Sequence, residues 1–345
     1  MEFLFAEAMG KPLWMWLTFL SFILALLVFD LGVLHRRPHE IGVRESLKMS
    51  AFYIGLGVAF SGWVWHLLGE AAALDYLTGF VVEQSLAMDN IFVIAMIFGY
   101  FGIPRMYQHR VLVWGILGVI VLRGIMIGAG ATVVREFEWV LYLFAAFLIA
   151  TGVKMLLSAD TEYNVGNNPI LRVLRRRLRV TEHLHGEHFV VRQIEPRTGR
   201  SVLYATPLLL TLIMVELADV LFAVDSIPAI FAITTEPYIV YTSNIFAILG
   251  LRSMFFALSA MIHRFTYLKY ALSLILVFIG AKIFVADMLG ITKVPPAVSL
   301  SVTLGLLAVG VMVSLWKTRQ EGRRQAEPAP AMAVPPPAAS GGGDQ

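Results

Sequence analysis

Six carboxylates stand in stretches of chain too apolar for a water-facing surface: Asp30, Glu83, Asp89, Glu216, Asp219 and Asp225. Four cations share those stretches, Arg123, Lys154, Arg252 and Lys282. An ionisable group inside a bilayer is costly and marks an ion or proton pathway unless a partner simply neutralises it. If every cation pairs with a carboxylate, two negative charges remain, enough for one divalent cation or for sites that carry protons. Carboxylate, carbonyl, amide and hydroxyl oxygens suit Mg²⁺, Ca²⁺ or Mn²⁺. The chain has no cysteine, and His66 is the one histidine expected inside a span, so copper and zinc fit less well. Met88 or Met214 would add a thioether favouring Mn²⁺ over Ca²⁺, although methionines at such positions mostly pack.

Helix geometry limits how these groups combine. At 100° per residue Glu216 and Asp219 share a face, whereas Asp219 and Asp225 point about 120° apart and differ by roughly 9 Å in height. Glu83 and Asp89 have the same offset. One straight helix cannot wrap both members of such a pair around one ion, so either each pair serves two sites or the helix is broken. Pro228 predicts breakage: it cannot donate to the carbonyl of Val224. The stretch 203–232 would also measure roughly 45 Å as a straight helix, against a hydrocarbon core of about 30 Å. An unwound turn near 224–228, as in broken transporter helices, is therefore expected. Asp30 falls at the cytoplasmic edge of its span. Lys154 and Lys282, near span ends, read as snorkelling to the interface, and Arg123 and Arg252 as mid-span partners of carboxylates.

The elements that must position these groups are membrane helices. Of 345 residues 58% are hydrophobic and 15% charged, with mean hydropathy +0.75, which excludes a soluble domain and a disordered chain. Long unbroken apolar runs exclude a β-barrel, whose strands alternate. The expected fold is all-α and polytopic, with nine spans near 13–34, 51–69, 75–100, 110–133, 137–157, 203–232, 242–262, 266–288 and 296–316. Of the 27 Lys and Arg residues, 20 fall on one alternating set of loops, three on the other and four inside spans. That asymmetry predicts an outside N-terminus and a cytoplasmic C-terminus, and makes the pI of about 9.1 a sign of topology rather than of a nucleic-acid partner. The first span is too long for a cleaved signal peptide and is followed by His35-Arg36-Arg37. Residues 158–202 read as a cytoplasmic loop with a basic run Arg172–Arg179 and a strand-like stretch at Phe189–Ile194. Its His183-x-His185-x-x-His188 spacing has metal-ligand character but reads first as solvated loop. Residues 323–345, rich in Pro, Ala and Gly, are expected to be a disordered tail behind a membrane domain of 1–322.

An internal repeat organises the spans. A shift of 128 residues lays Phe137…Tyr142…Gly152-Val-Lys154 on Phe265…Tyr270…Gly280-Ala-Lys282. Arg123 answers Arg252 at a shift of 129, and Glu83…Asp89-Asn90-Ile91 answers Asp219…Asp225-Ser226-Ile227 at 136. Spans three to five (75–157) thus correspond to spans six to eight (203–288). Copies of three spans must be oppositely oriented, the inverted 3+3 arrangement of secondary transporters, whose sites lie near the midplane.

Three segments carry a family resemblance: Glu83-Gln-Ser-Leu-Ala-Met-Asp89-Asn90-Ile-Phe-Val, Val215-Glu216-Leu-Ala-Asp219-Val-Leu-Phe-Ala-Val-Asp225-Ser-Ile-Pro-Ala-Ile, and Thr242-Ser-Asn244-Ile-Phe-Ala-Ile-Leu-Gly-Leu-Arg252, with Phe29-Asp30-Leu-Gly-Val upstream. Over about residues 13–315 the chain resembles the TerC/Alx family of bacterial integral membrane proteins. The resemblance implies nine spans and a role in metal homeostasis, chiefly Mn²⁺ export, with tellurium resistance behind the family name. It also implies an ion path of Glu83, Asp89, Asn90, Glu216, Asp219, Asp225 and Asn244. The resulting expectation is an exporter of the bacterial cytoplasmic membrane, with Asp89 and Asp225 as core ligands and proton antiport as the simplest driving force. Its partners would be the metal ion, protons and lipid, with no prosthetic cofactor and no nucleic acid. No nucleophile–base pair, HExxH or phosphate loop points to an enzyme. The rival expectation is a non-transporting membrane partner in tellurite stress or in metal loading of exported proteins.

Overall fold

In hydrocarbon every backbone N–H and C=O must find its partner within the protein, and apolar runs of this length satisfy them as helices. The computed structural model describes residues 5–30, 42–157, 169–194, 201–259, 268–291 and 294–326, without the side chains of 88, 89, 92, 268, 269 and 318–326. A short hairpin, β1 (Glu7–Ala8) and β2 (Lys11–Pro12), leads into α1 (Leu13–Phe29). Helices α2 (Val43–Leu68) and α3 (Glu70–Tyr100) are separated only by Gly69, whose φ of +90° lets the chain turn without a strained side chain. Then follow α4 (Arg105–Glu136), α5 (Val140–Leu157), a short basic α6 (Pro169–Arg177), and the antiparallel β3 (Val190–Ile194) and β4 (Ser201–Ala205). Four more helices close the chain: α7 (Pro207–Phe231), α8 (Pro237–Ser259), α9 (Leu268–Met288) and α10 (Pro296–Ala326).

Among the described residues, α2, α4, α5, α7, α8, α9 and α10 are long and apolar enough to cross a membrane. Helix α1 is apolar but shorter at 17 residues, and α3 runs for 31. The chain is thus an all-α, polytopic membrane protein. Helix α8 is the centre, with 89% of its apolar window buried against α2, α3, α4 and their neighbours. Aromatic rings fill that centre: Phe246 of α8 lies 4.9 Å from Phe60 and 5.8 Å from Phe19. Tyr241 of α8 donates its hydroxyl to the Ile120 carbonyl of α4 at 3.0 Å.

Three expectations need correction. Helix α7 runs without interruption from Pro207 to Phe231, straight through 224–228. Its first expected residues instead belong to β4, so the helix measures only about 37 Å and has little excess length to absorb. Pro228 leaves one carbonyl unbonded, whereas unwinding a turn would leave several polar groups bare, so the unbroken helix is the lesser cost. Lys282 does not snorkel: it is 7% exposed, with Nζ 3.5 Å from Ser299 Oγ on α10. Finally, α10 extends to Ala326, past the point where a disordered tail was expected; the remainder of that tail, residues 31–34 of the first span, 260–262 of the seventh and 266–267 of the eighth lie outside the described residues.

Candidate functional site

Helix α4 carries the site along its length. At 1.5 Å rise per residue, four stations follow one another on it. Near its start His109 Nε2 lies 3.6 Å from Asp30 Oδ2, at the end of α1. A water-sized cavity of about 20 Å³ separates this pair from Arg252 and Ser253 of α8.

The second station is Gly115 and Gly118, where α4 meets Glu216 and Asp219 of α7. Arg252 Nη2 donates to Asp219 Oδ2 at 3.2 Å and lies 4.0 Å from Glu216 Oε1. Neither Glu216 oxygen has a hydrogen-bond partner among the described residues, and both are shut off from solvent. The carboxylate rests on the bare glycine faces: a Cβ at Gly115 would stand 2.6 Å from Oε1, and one at Gly118 2.7 Å from Cδ, overlapping Oε2. Glu216 and Asp219 thus share one face of an unbroken helix and one arginine.

About 8 Å further along α4 stands Arg123, whose Nη1 lies 2.9 Å from Glu83 Oε1 on α3 and donates to Ser226 Oγ on α7 at 2.8 Å. Glu83 Oε2 has no hydrogen-bond partner among the described residues. Past it, α4 forms a wall of a cavity of about 1040 Å³, lined among others by Arg135, Glu136, Glu236, Lys282 and Asp287. The β1–β2 hairpin reaches this mouth, with Lys11 Nζ 3.1 Å from Glu236 and Met9 lining it beside Gly128.

Several expected residues lie elsewhere. Asp225 is half-buried on a different face of α7, with Lys154 of α5 as its electrostatic neighbour. Asp89 sits on α3, with its side chain outside the described ones. Asn90 is buried on α3, and Asn244 is fully buried on α8 with neither amide atom paired among the described residues. Met214 packs in an apolar cluster with Val215 and Ala218 and offers no thioether to the site. His185 bonds to the carbonyl of His183 and to Gln193. Among the described residues no three His, Cys, Asp or Glu side chains gather as a ready-made metal cage.

Sequence reasoning missed His109, Gln84 and the two glycines. Gln84 is 8% exposed, with neither amide atom hydrogen-bonded among the described residues and Oε1 3.0 Å from where a Cβ of Gly250 would stand. The Gly-x-x-Gly spacing in an apolar helix was the one available signal for the glycines; nothing local marked His109.

One further contact concerns α5 and α9. A Cβ at Gly152 would lie 2.7 Å from the Ser273 carbonyl and 2.8 Å from Val277, and one at Gly280 2.6 Å from the Ala145 carbonyl and 2.8 Å from Ile149. Adding 128 to 145, 149 and 152 gives 273, 277 and 280, so each helix offers the other the same three positions.

Comparison with known proteins groups the chain with integral membrane proteins. Residues 68–322 match the profile of the integral membrane protein TerC family. An uncharacterized membrane protein of Myxococcus xanthus is 47% identical over 90% of this chain and 95% of its own length. The Alx protein of Salmonella typhi, named as a candidate membrane-bound redox modulator, is 46% identical over 92% of this chain and 98% of its own. The protein of the same name from Escherichia coli K12 is 46% identical over 90% and 96%. No solved structure matches the chain.

Proposed function

Because this chain belongs to the TerC family of integral membrane proteins, we propose that it is a transporter of the bacterial cytoplasmic membrane that exports a divalent cation, Mn²⁺ above others, in exchange for protons. The observation that carries this reading is Glu216. In the polar centre three carboxylates, Glu83, Asp219 and Glu216, face two arginines, and the arginines are engaged first by Glu83 and Asp219. Glu216 has no hydrogen bond among the described residues, and both its oxygens are shielded by neighbouring side chains. An ionised carboxylate so placed is very costly, and a proton or a metal cation removes the cost. One group that must hold either a proton or a cation is what an exchanger needs.

Oxygen donors around it favour Mn²⁺, Mg²⁺ or Ca²⁺, and the resemblance of the motifs selects Mn²⁺. Asp30, at the first station on α4, supplies a further oxygen along the route. In the present state the Glu83–Arg123–Ser226 group stands between Glu216 and the large cavity, as expected of a closed barrier. Nine spans follow if α1 and α3 join the seven apolar helices. The positive loops then put the N-terminus outside, and the large cavity opens to that side. An inverted repeat is supported by two correspondences. Each arginine pairs with the carboxylate of its own copy, and α5 and α9 present equivalent residues to each other.

The test is Mn²⁺ flux in liposomes holding the purified protein, with and without an imposed pH gradient. Flux lost on Glu216→Gln is expected. Wild-type flux indifferent to the gradient would remove the antiport part, and no flux at all would remove the transport reading. A second reading is a non-transporting membrane partner, in tellurite stress or in metal loading of exported proteins, or in the redox balance that the relatives' name suggests. With no cysteine in the chain, such a role would not run through its own thiols. It predicts unchanged cellular Mn content in Glu216→Gln cells.

A further inference from the structure

We propose that Gly115 and Gly118 are positioning residues for the Glu216 carboxylate, keeping on α4 the space in which it can exchange a proton for a metal cation. The inference rests on the reading of Glu216 as the cation-binding group. Residues three apart lie on one helix face, and here that face is turned to Glu216 and Arg252. A methyl at either position enters the volume of the carboxylate itself, so the ends of these side chains must shift to admit it: the contacts fall on Glu216 Oε1 and Arg252 Nη1 at Gly115, and on Glu216 Cδ and both oxygens at Gly118. The displaced carboxylate would have to leave its place beside Arg252, at present 4.0 Å away.

The internal correspondence of the chain makes the same point independently. At the shift of 136 that lays Asp219 on Glu83, Glu216 falls on Phe80. At the shift of 129 that lays Arg252 on Arg123, Gly115 and Gly118 fall on Asn244 and Ala247. The equivalent contact between α3 and α8, which has Phe80 for the glutamate, has Asn244 and Ala247 for the glycines. Gly124 on α4 does not share the property, since a Cβ there would meet only the Tyr241 ring, at an ordinary 3.5 Å.

The test pairs size with size. Full-length Gly118→Ala, Glu216→Asp, the double variant and Gly124→Ala are reconstituted, with Mn²⁺ flux and melting temperature measured for each. Gly118→Ala should lose Mn²⁺ flux by about tenfold or more, as for misplacement of a reacting group by an ångström, and Gly124→Ala should not. Shortening the side chain in the double variant should restore flux, or melting temperature if that also fell, well above Gly118→Ala alone. Gly118→Ala with wild-type flux overturns the proposal. So does a defect, in flux or in folding, that Glu216→Asp fails to relieve. Absence of wild-type Mn²⁺ flux would instead remove the functional reading, and the rescue of melting temperature would still decide whether the glycine holds the carboxylate.

Discussion

Glu83 and Arg123 form a dry ion pair, 2.9 Å from Oε1 to Nη1, with side-chain exposures of 1% and 3%. In such surroundings the pair is worth little against an apolar substitute, but either member alone is a stranded charge. Glu83→Gln and Arg123→Gln should each lower stability by about 3 to 5 kcal/mol, and the double variant by clearly less than their sum. Melting of the purified protein in detergent measures all three. Additive losses would mean that the two side chains act apart, leaving Glu83 available as an ion ligand.

Glu216 and Asp219 lie on one face and near one arginine, yet opposite outcomes are expected. Asp219→Asn removes the bonded partner of Arg252 and should cost about 3 kcal/mol. Glu216→Gln removes a charge with no bond to lose and should hold or raise stability, by on the order of 1 kcal/mol. Transport should nevertheless stop in Glu216→Gln. Melting and Mn²⁺ flux on the same preparations separate the two residues; Glu216→Gln that is destabilised as much as Asp219→Asn would show that Arg252 depends on both.

The sequence made the helices legible because hydropathy and length are local properties of a run, and the observed ends differ mainly where polar residues continue a helix into water, as at Glu70 and Arg105. The shared face of Glu216 and Asp219 was legible for the same reason, since it depends only on helical rotation. Which arginine each carboxylate chooses was not, because it depends on how α3, α4, α7 and α8 cross. The Gly115–Glu216 contact was hidden likewise: a glycine shows only that space exists, not what fills it. At Pro228 local chemistry pointed the wrong way, because a lost hydrogen bond was weighed without the further groups that unwinding would leave bare.

An unbroken α7 gives Pro228 a packing role. Pro228→Ala restores a donor for the Val224 carbonyl and should leave Mn²⁺ flux near the wild-type rate, with stability within about 1 kcal/mol of it. Loss of flux from a folded Pro228→Ala variant, while Ala229→Gly beside it remains active, would point to an unwound turn in another state of the cycle.

Gly152 and Gly280 bring α5 and α9 close enough for backbone to touch side chain from both directions. The atoms a new methyl would meet include the Ser273 and Ala145 carbonyl oxygens, which can move only with their helices. Gly152→Ala and Gly280→Ala should therefore each cost about 1 to 3 kcal/mol, as overpacking does. Because the two positions occupy equivalent places in the two copies, their losses should be of similar size. Once one methyl has pushed the helices apart, the second meets a gap already opened, so the double variant should lose less than the sum. Melting temperatures of the three variants decide it. Strongly unequal single losses would argue that the α5–α9 contact only imitates a two-fold, and the inverted repeat would then lose its support at this interface.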